Sequence, residues 1–494
     1  MSRVVVIGAG VGGLAAAARL AAQGHRVQLH ERADTHGGKL GEYRRDGYRF
    51  DTGPSLLTLP QVFDELFADT GGPAAELVFD PVDPACRYRF ADGTTLDMPR
   101  DPAAVPAALD AALGPGRGAA WLALHERSAR LWSLVGDAVL RRPLDGVGDL
   151  LRFSRRVREL RTIAPWRTLR GLGTGMLPDP RLVAWLDRYA TYSGSDPRRT
   201  PSVLSVTSYV EQHFGAWYVR GGMRRLADAL LRRCQDLGVA VHLGSEVTGV
   251  GTAAGRVSGV ELADGAAVPA DVVVCDADAR VLYERLLTDQ AAGRARRTLR
   301  RSTRSLSGFV LLLALDGPGP RPGAAHRVWF PADYDAEFDA IFSSAPAPVA
   351  DPTVYVHAPD DPALRPDDRS QGWFVLVNAP VHDPGRGVDW SCPQLRERYA
   401  DRVLATLAAR GEDVRDRVRW REIRTPADLE RETGAPGGAI YGTASHGPRA
   451  ALLRPPNRSP VPGLYLVGGS THPGGGLPLV ALSASIVAEL VGPA

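Results

Sequence analysis

The sequence has 494 residues, too many for one small domain and enough for two or three. Hydrophobic residues make up 44% and charged residues 23%, and the 54 glycines with 39 prolines stay below the roughly 25–30% of a low-complexity chain, which excludes wholesale disorder and collagen-like repeats. The net charge is only +3 and almost all of the basic residues are arginine, since Lys39 is the one lysine; this reads as codon bias and is no argument for nucleic acid. Mean hydropathy is −0.14, and no uninterrupted apolar run approaches the ~18 residues of a membrane span, so a polytopic membrane protein is excluded. Cys86, Cys234, Cys275 and Cys392 are scattered, with no metal-ligand spacing, as in a reduced cytosolic protein. A glycine-rich motif beginning at Gly8 leaves no room for a secretory leader, and the fold is expected to start at Met1.

Val4–Ile7 is a short β-branched run of the kind buried in parallel sheets. It meets the glycine-rich segment, and an alanine-rich helix over Leu14–Gln23 follows, stopped by Gly24. Arg26–His30 is a second strand with Glu31 at its end, and Gly41–Asp51 reads as a hairpin around Asp46-Gly47. Residues 100–200 are mostly helical in pattern. Met223–Leu237 is a helix, Val239–Leu243 a strand, and Arg256–Leu262 with Val268 a hairpin, followed by a buried strand at Asp271–Cys275. Phe309–Leu315, Val328–Phe330, Thr353–His357 and Trp373–Asn378 form an antiparallel or mixed sheet, and Cys392–Arg410 a helix. The chain ends in a strand, Leu464–Val467, a turn of sequence STHPGGGLP, and a helix over Leu479–Leu490.

Gly8, Gly10 and Gly13 form G-x-G-x-x-G between a strand and a helix inside a β-α-β unit, the context that turns a weak motif into a dinucleotide-binding fingerprint. Gly8 permits the tight turn, Gly10 lets the backbone approach a pyrophosphate, and Gly13 lets helix and strand pack closely. The helix N-terminus offers free N–H groups and a positive dipole end to phosphate. Glu31 lies 18 residues beyond Gly13, where an acid binds a ribose diol and disfavours a 2′-phosphate, which argues against NADPH. The next segment, Gly37-Gly38-Lys39 and then a hairpin ending in Asp51-Thr52-Gly53-Pro54, resembles the two-dinucleotide-binding-domain flavoproteins. In these a Gly-Gly-Arg/Lys segment follows the FAD pyrophosphate and a later glycine loop, here at Gly53, approaches the ring. Lys39 stands where arginine is usual, keeping the charge without the bidentate fork.

Taken with FGAWYVRGG at Phe214–Gly222 and GLYLVGGSTHPGGGLP at Gly463–Pro478, these blocks resemble the bacterial carotenoid desaturases of the phytoene desaturase type, with wording in the last block slightly nearer the hydroxycarotenoid 3,4-desaturase branch. The resemblance spans most of the chain. It implies an α/β fold with a discontinuous Rossmann-like FAD-binding domain (1–75, 215–285 and 455–494), a mostly helical, membrane-facing region (76–214) and an α+β substrate domain (286–454). It further implies that the backbone at Val247 holds adenine, that Gly468 and Gly469 lie in the glycine-rich turn, and that Gly476, Leu477 and Pro478 start a helix aimed at the flavin pyrimidine edge. A helix N-terminus there stabilises negative charge on the ring.

Desaturating a polyene removes a hydride and a proton from adjacent carbons, and FAD serves as the hydride acceptor. One fingerprint and no second one points to a reaction without nicotinamide, with oxygen or a membrane quinone as electron acceptor. No metal-ligand motif or nucleophile–base arrangement is present. Glu211, at an acidic position of the family, and His472, in the turn nearest the expected ring, are the candidates for a chemical role. The partner is a hydrophobic polyene. Because polyenes reside in membranes, a docking surface on the cytoplasmic face is expected: residues 141–170 hold nine arginines against Asp145, Asp149 and Glu159, interleaved with Leu150, Leu151, Phe153, Val157, Leu160 and Trp166. The rival readings are a polyene isomerase or saturase, a flavin amine oxidase, which THPGGGLP disfavours, and a prenyl-binding escort protein of the same fold that uses no flavin.

Overall fold

The computed structural model describes residues 1–144, 162–317, 324–447 and 454–494. At the N-terminus β1 (Arg3–Ile7), α1 (Val11–Ala22) and β2 (Arg26–His30) form the expected β-α-β unit, with β1 and β2 parallel. Ala15 to Ala18 on α1 are wholly buried. Side chains this small let the helix lie between the sheet and other helices on more than one side. Leu14, Leu20 and Leu29 are also fully buried, each contributing roughly 1.5–3 kcal/mol by leaving water. The hairpin β3 (Glu42–Arg45) and β4 (Tyr48–Asp51) follows, turning at Asp46 and Gly47, both at positive φ.

The next stretch is mostly helical, as read from its pattern, but it includes strands that the pattern did not reveal, among them β5 (Cys86–Arg89) and β6 (Thr95–Met98). Then come α2 (Arg117–Leu140), α3 (Pro180–Thr191) and α4 (Val206–Phe214). The greater part of the basic 141–170 segment, including Phe153, lies outside the described residues; Trp166, just beyond the gap, is 67% exposed. Among the described residues no helix is long and apolar enough to cross a membrane.

The chain then returns to the first sheet through α5 (Arg224–Asp236) and β7 (Ala240–His242). It makes a three-stranded antiparallel layer from β8 (Val247–Ala253), β9 (Arg256–Leu262) and β10 (Ala267–Pro269), and rejoins the first sheet with β11 (Val272–Cys275). β8 replaces the loop left between the expected strand and hairpin. The longest strands come next: β12 (Ser307–Asp316), β13 (His326–Trp329), β14 (Val354–His357), β15 (Ser370–Ala379) and β16 (Val418–Arg424). The chain ends with β17 (Leu464–Leu466) and α6 (Leu477–Val491).

Two sheets organise the molecule. The first is all parallel, in the order β17-β11-β1-β2-β7, so its five strands come from the two ends and the middle of the chain. The second, β16-β12-β15-β14-β13-β5-β6, is mixed: its pairs are antiparallel except for Arg327–Trp329 beside Arg87–Arg89. β12 is buried along nearly its whole length, which explains its unbroken apolar run and the weak alternation in the sequence. Residues just past the C-terminal ends of β1, β2 and β11, where a doubly wound sheet binds ligands, share one cavity with Val310, Phe374 and Leu376 of the second sheet.

Candidate active site

The site begins at the turn between β1 and α1. Gly8 sits at φ +100°, a backbone conformation that favours glycine, and its N–H donates to the His30 carbonyl at 2.8 Å. A Cβ on Gly13 would overlap the Gly8 carbonyl oxygen, so α1 lies this close to β1 only because position 13 lacks a side chain. Gly10 has an ordinary φ of −69°, and it is space that demands glycine: a Cβ there would overlap Asp276 Oδ2.

Asp276 follows β11 and places its carboxylate over the first turn of α1, facing the N–H groups of Gly13 and Gly10. Burial pushes its pKa up to about 7; the two N–H groups and the Lys39 charge oppose this, and Glu31 adds to it. A carboxylate thus stands at the helix N-terminus, the place where a phosphate is bound. Glu31 accepts the Ala9 N–H at 2.7 Å and the Ala33 N–H at 2.9 Å, which fixes its carboxylate at the rim of the same cavity.

Gly37 pairs with the fingerprint directly, its N–H donating to the Ala9 carbonyl at 2.7 Å. Gly38 and Gly53 also line the cavity, and a Cβ on Gly53 would overlap the Lys39 carbonyl. Lys39 turns its ammonium to the carbonyls of Ile440 (2.6 Å) and Ala439 (3.2 Å). Burial lowers its pKa, against the pull of Asp278 and Asp276. Val247, at the start of β8, lines the cavity beside Glu246 and Thr248. Gly468 is tucked against Gly12, with its N–H on Ser483 Oγ at 2.9 Å, whereas Gly469, Gly476, Leu477 and Pro478 face the cavity. The turn is held by Arg454, which also lines the cavity, donates to the carbonyls of Tyr441 (2.9 Å) and Gly469 (3.0 Å), and has its pKa lowered by burial to about 10.

All of these surfaces bound one cavity of about 1160 Å³. One small ligand commonly fills about 300–1,000 Å³, so there is room for a cofactor and a second molecule. The residues present fit a dinucleotide: a backbone cradle free of side chains, a helix N-terminus for phosphate, a fixed carboxylate for a diol, and the start of a second helix, α6, on the same cavity. The comparisons decide which dinucleotide. Residues 11–492 match the family described as flavin containing amine oxidoreductase. The chain is 36% identical to a 4,4'-diapolycopene oxygenase from Methylomonas sp. over 99% of its length and 98% of that protein. It is 32% identical to a 1-hydroxycarotenoid 3,4-desaturase from Flavobacterium sp. (strain P99-3) over 99% of each. The chain belongs to the flavin-containing amine oxidoreductase family, on its carotenoid desaturase branch. A solved oxidoreductase from Methanosarcina mazei shares the fold, with TM-score 0.64 at 18% identity over 99% of this chain and 100% of that one.

The cofactor of this carotenoid desaturase relative is FAD, and the protein is an oxidoreductase. Beyond the cradle, the cavity continues into a chamber with apolar walls, among them Trp132, Val135 and Val139 of α2, Val206 and Val210 of α4, and Val310, Phe374 and Leu376 of the mixed sheet. Glu211 lies on this wall. It is buried, and accepts hydrogen bonds from Tyr189 Oη at 2.7 Å and Tyr192 Oη at 3.2 Å, so it is neither exposed nor paired with a base. His472 requires a correction: its ring is not on the cavity wall. Nε2 lies 2.9 Å from the Val139 carbonyl and 3.0 Å from that of Arg142, so the ring ties the glycine turn to the end of α2. Burial lowers its pKa, which favours the neutral form that donates one such bond.

Sequence reasoning missed Asp276, Arg454 and Arg188, a buried arginine on the chamber wall. Asp276 had a signal, an acid directly after a buried parallel strand; the arginines had none among so many. Replacing Glu31 by Ala removes a fixed acceptor from a polar site, a loss of about 1–3 kcal/mol. The expected result is weaker FAD retention, read as the flavin-to-protein absorbance ratio after gel filtration; an unchanged ratio would remove Glu31 from the ribose site.

Proposed function

We propose that the protein is a desaturase of an acyclic carotenoid-type polyene. The observation that carries this reading is the single cavity that joins the glycine cradle to the apolar chamber, so that a long hydrocarbon chain lies against the cofactor out of water. FAD supplies a two-electron hydride acceptor. In this reading Gly8, Gly10, Gly13, Gly37 and Gly38 make room for the pyrophosphate, Glu31 holds the ribose, and the backbone at Val247 holds adenine. Gly53, Gly469 and Gly476 admit the ring, with Leu477 and Pro478 presenting the α6 N-terminus to it. Lys39 lines the same surface with its ammonium held by the Ala439 and Ile440 carbonyls, and Gly468 acts behind it. Glu211, held between two tyrosine hydroxyls, is the group placed to take the substrate proton. The cofactor domain then comprises residues 1–75, 215–285 and 455–494, and residues 76–214 and 286–454 enclose the substrate.

The test is to supply purified, FAD-loaded protein with a panel of acyclic carotenoids, with oxygen or a quinone as acceptor and no nicotinamide. Products that have lost two hydrogens support the reading; strict dependence on NADPH, or no polyene conversion across the panel, would overturn it. A second reading, oxygenation at the polyene end, is favoured by the similarity to the diapolycopene oxygenase. Product mass separates the two, since oxygenation adds oxygen.

Membrane docking belongs to the same reading. The basic segment 141–170 has a net charge of +6, and at about 1 kcal/mol per basic residue near an anionic surface it supplies several kcal/mol. Exposed Trp166 adds an apolar contact at its border. Replacing Arg152, Arg155, Arg156 and Arg158 by Gln is expected to reduce co-sedimentation with anionic liposomes while FAD stays bound. Co-sedimentation equal to wild type at low salt would place the docking surface elsewhere.

A further inference from the structure

One charged side chain on the chamber wall has no ion-pair partner among the described residues. Arg188, on α3, is 9% exposed and faces the cavity. It forms no ion pair with a described carboxylate, and its one hydrogen bond among the described residues is a long donation of Nη1 to Tyr88 Oη at 3.4 Å. The guanidinium is instead caged by rings, its central carbon 5.1 Å from the Tyr192 centroid and 5.7 Å from those of Tyr88 and Tyr355. Ring faces stabilise the charge but accept none of its five N–H groups in the plane where they point. Nor are the neighbouring hydroxyls free: Tyr192 donates to Glu211 Oε2, and Tyr355 Oη sits 2.6 Å from both Ser55 Oγ and His326 Nδ1. A second observation lies on the same wall. His326 Nε2 and Tyr334 Oη are buried without a partner among the described residues, and both residues line the cavity. An apolar chamber for a hydrocarbon has no use for this polar knot, and burying such groups unsatisfied is costly.

We propose that Arg188 anchors an oxygen function, a hydroxyl or carbonyl, near one end of the substrate polyene, and so selects which carbon–carbon bond meets the cofactor. The inference rests on the desaturase reading above. A neutral oxygen fits better than a carboxylate, because Glu211 already places a negative charge beside the cage. The helix that carries the anchor ends beside this region: a Cβ on Gly194, just past α3, would overlap the Tyr441 ring, and the same ring packs on Gly475, just before α6, so tightly that a Cβ there would overlap it too. Holding the oxygenated end here presents the bonds next to it, and not the chain centre, to the start of α6.

The test uses FAD-loaded protein and two matched acyclic polyenes, with and without a terminal hydroxyl. Binding is read from the perturbation of the flavin absorption band, and turnover from kcat/KM and the position of the new double bond. Wild type is expected to favour the hydroxylated polyene by roughly 100-fold or more, because a site built to hydrogen-bond a hydroxyl rejects the analogue that lacks it. Arg188→Met is expected to bind the two alike and to scatter the new double bond, while Arg188→Lys keeps part of the preference. A merely structural role would weaken both polyenes equally. Equal binding of the pair by wild type, or undiminished preference in Arg188→Met, would overturn the anchor. Since binding is read without turnover, failure to oxidise either polyene would overturn the desaturase reading while the binding comparison still decides the anchor.

Discussion

Gly10→Val is expected to yield a folded protein that purifies almost without flavin. The backbone at Gly10 has φ −69° and ψ 175°, which valine adopts readily, so the substitution carries no conformational penalty of its own. What valine cannot share is space. A Cβ at this position already overlaps Asp276 Oδ2, and the cofactor pyrophosphate must come to the same surface to reach the N–H groups of α1. Asp276 can swing aside because it is the end of a flexible side chain; a pyrophosphate tethered at both ends has less freedom. FAD occupancy below roughly a tenth of wild type is therefore expected, with Gly10→Ala intermediate and thermal unfolding of the apoproteins similar. Normal flavin content in folded Gly10→Val protein would overturn the assignment of the cradle.

FAD affinity is expected to fall as pH rises above about 7 in wild type, and to lose that dependence in Asp276→Asn. The sign follows from linkage. Burial raises the Asp276 pKa from 3.8 to about 7, so between these values the folded apoprotein holds a proton that the unfolded chain has released. Apoprotein stability therefore declines with rising pH over that window, and the full cost of the buried charge is present above it. Adding a pyrophosphate brings further negative charge to the same helix N-terminus, which favours the protonated carboxyl still more. Binding is thus strongest where Asp276 is already neutral, and at pH 8, one unit above its pKa, affinity is expected to be roughly tenfold lower. Glu31 and Lys39 also face the carboxylate and partly offset one another. Asn keeps the shape and removes the charge, so it should bind FAD about tenfold more tightly than wild type at pH 8 and equally at pH 6, with a more stable apoprotein at the higher pH. Titration of apoprotein with FAD, followed by quenching of flavin fluorescence, reads both. Equal wild-type affinity at pH 6 and pH 8, or an unchanged slope in Asp276→Asn, would show that the carboxylate plays no part.

Much of the cofactor half was legible because its signals are local. The β-branched run at Val4–Ile7, the glycine spacing at 8, 10 and 13, the alanine-rich helix and Glu31 at the end of β2 all lie within thirty residues, and each reports a steric or hydrogen-bonding need of its own neighbourhood. The glycine- and proline-rich turn before α6 carries the same kind of information. Four strands of the mixed sheet were legible only as apolar runs, and β5, β6, β8 and β16 escaped notice because four- to seven-residue segments show too little periodicity.

The site residues divide along the same line. By itself, the sequence pointed to a dinucleotide and to the glycine backbone proposed to cradle it, since glycine spacing and strand–helix order suffice for that. Tertiary structure alone decided which side chains meet there. His472 sits in the glycine turn, yet its ring faces the end of α2, because the carbonyls of Val139 and Arg142 lie on that side. Asp276 reaches α1 only because β11 pairs with β1, and Arg188 meets Tyr355 only because α3 packs beneath the mixed sheet. These are pairings between distant segments, and a chain's local pattern records what each segment buries but not which segment buries it.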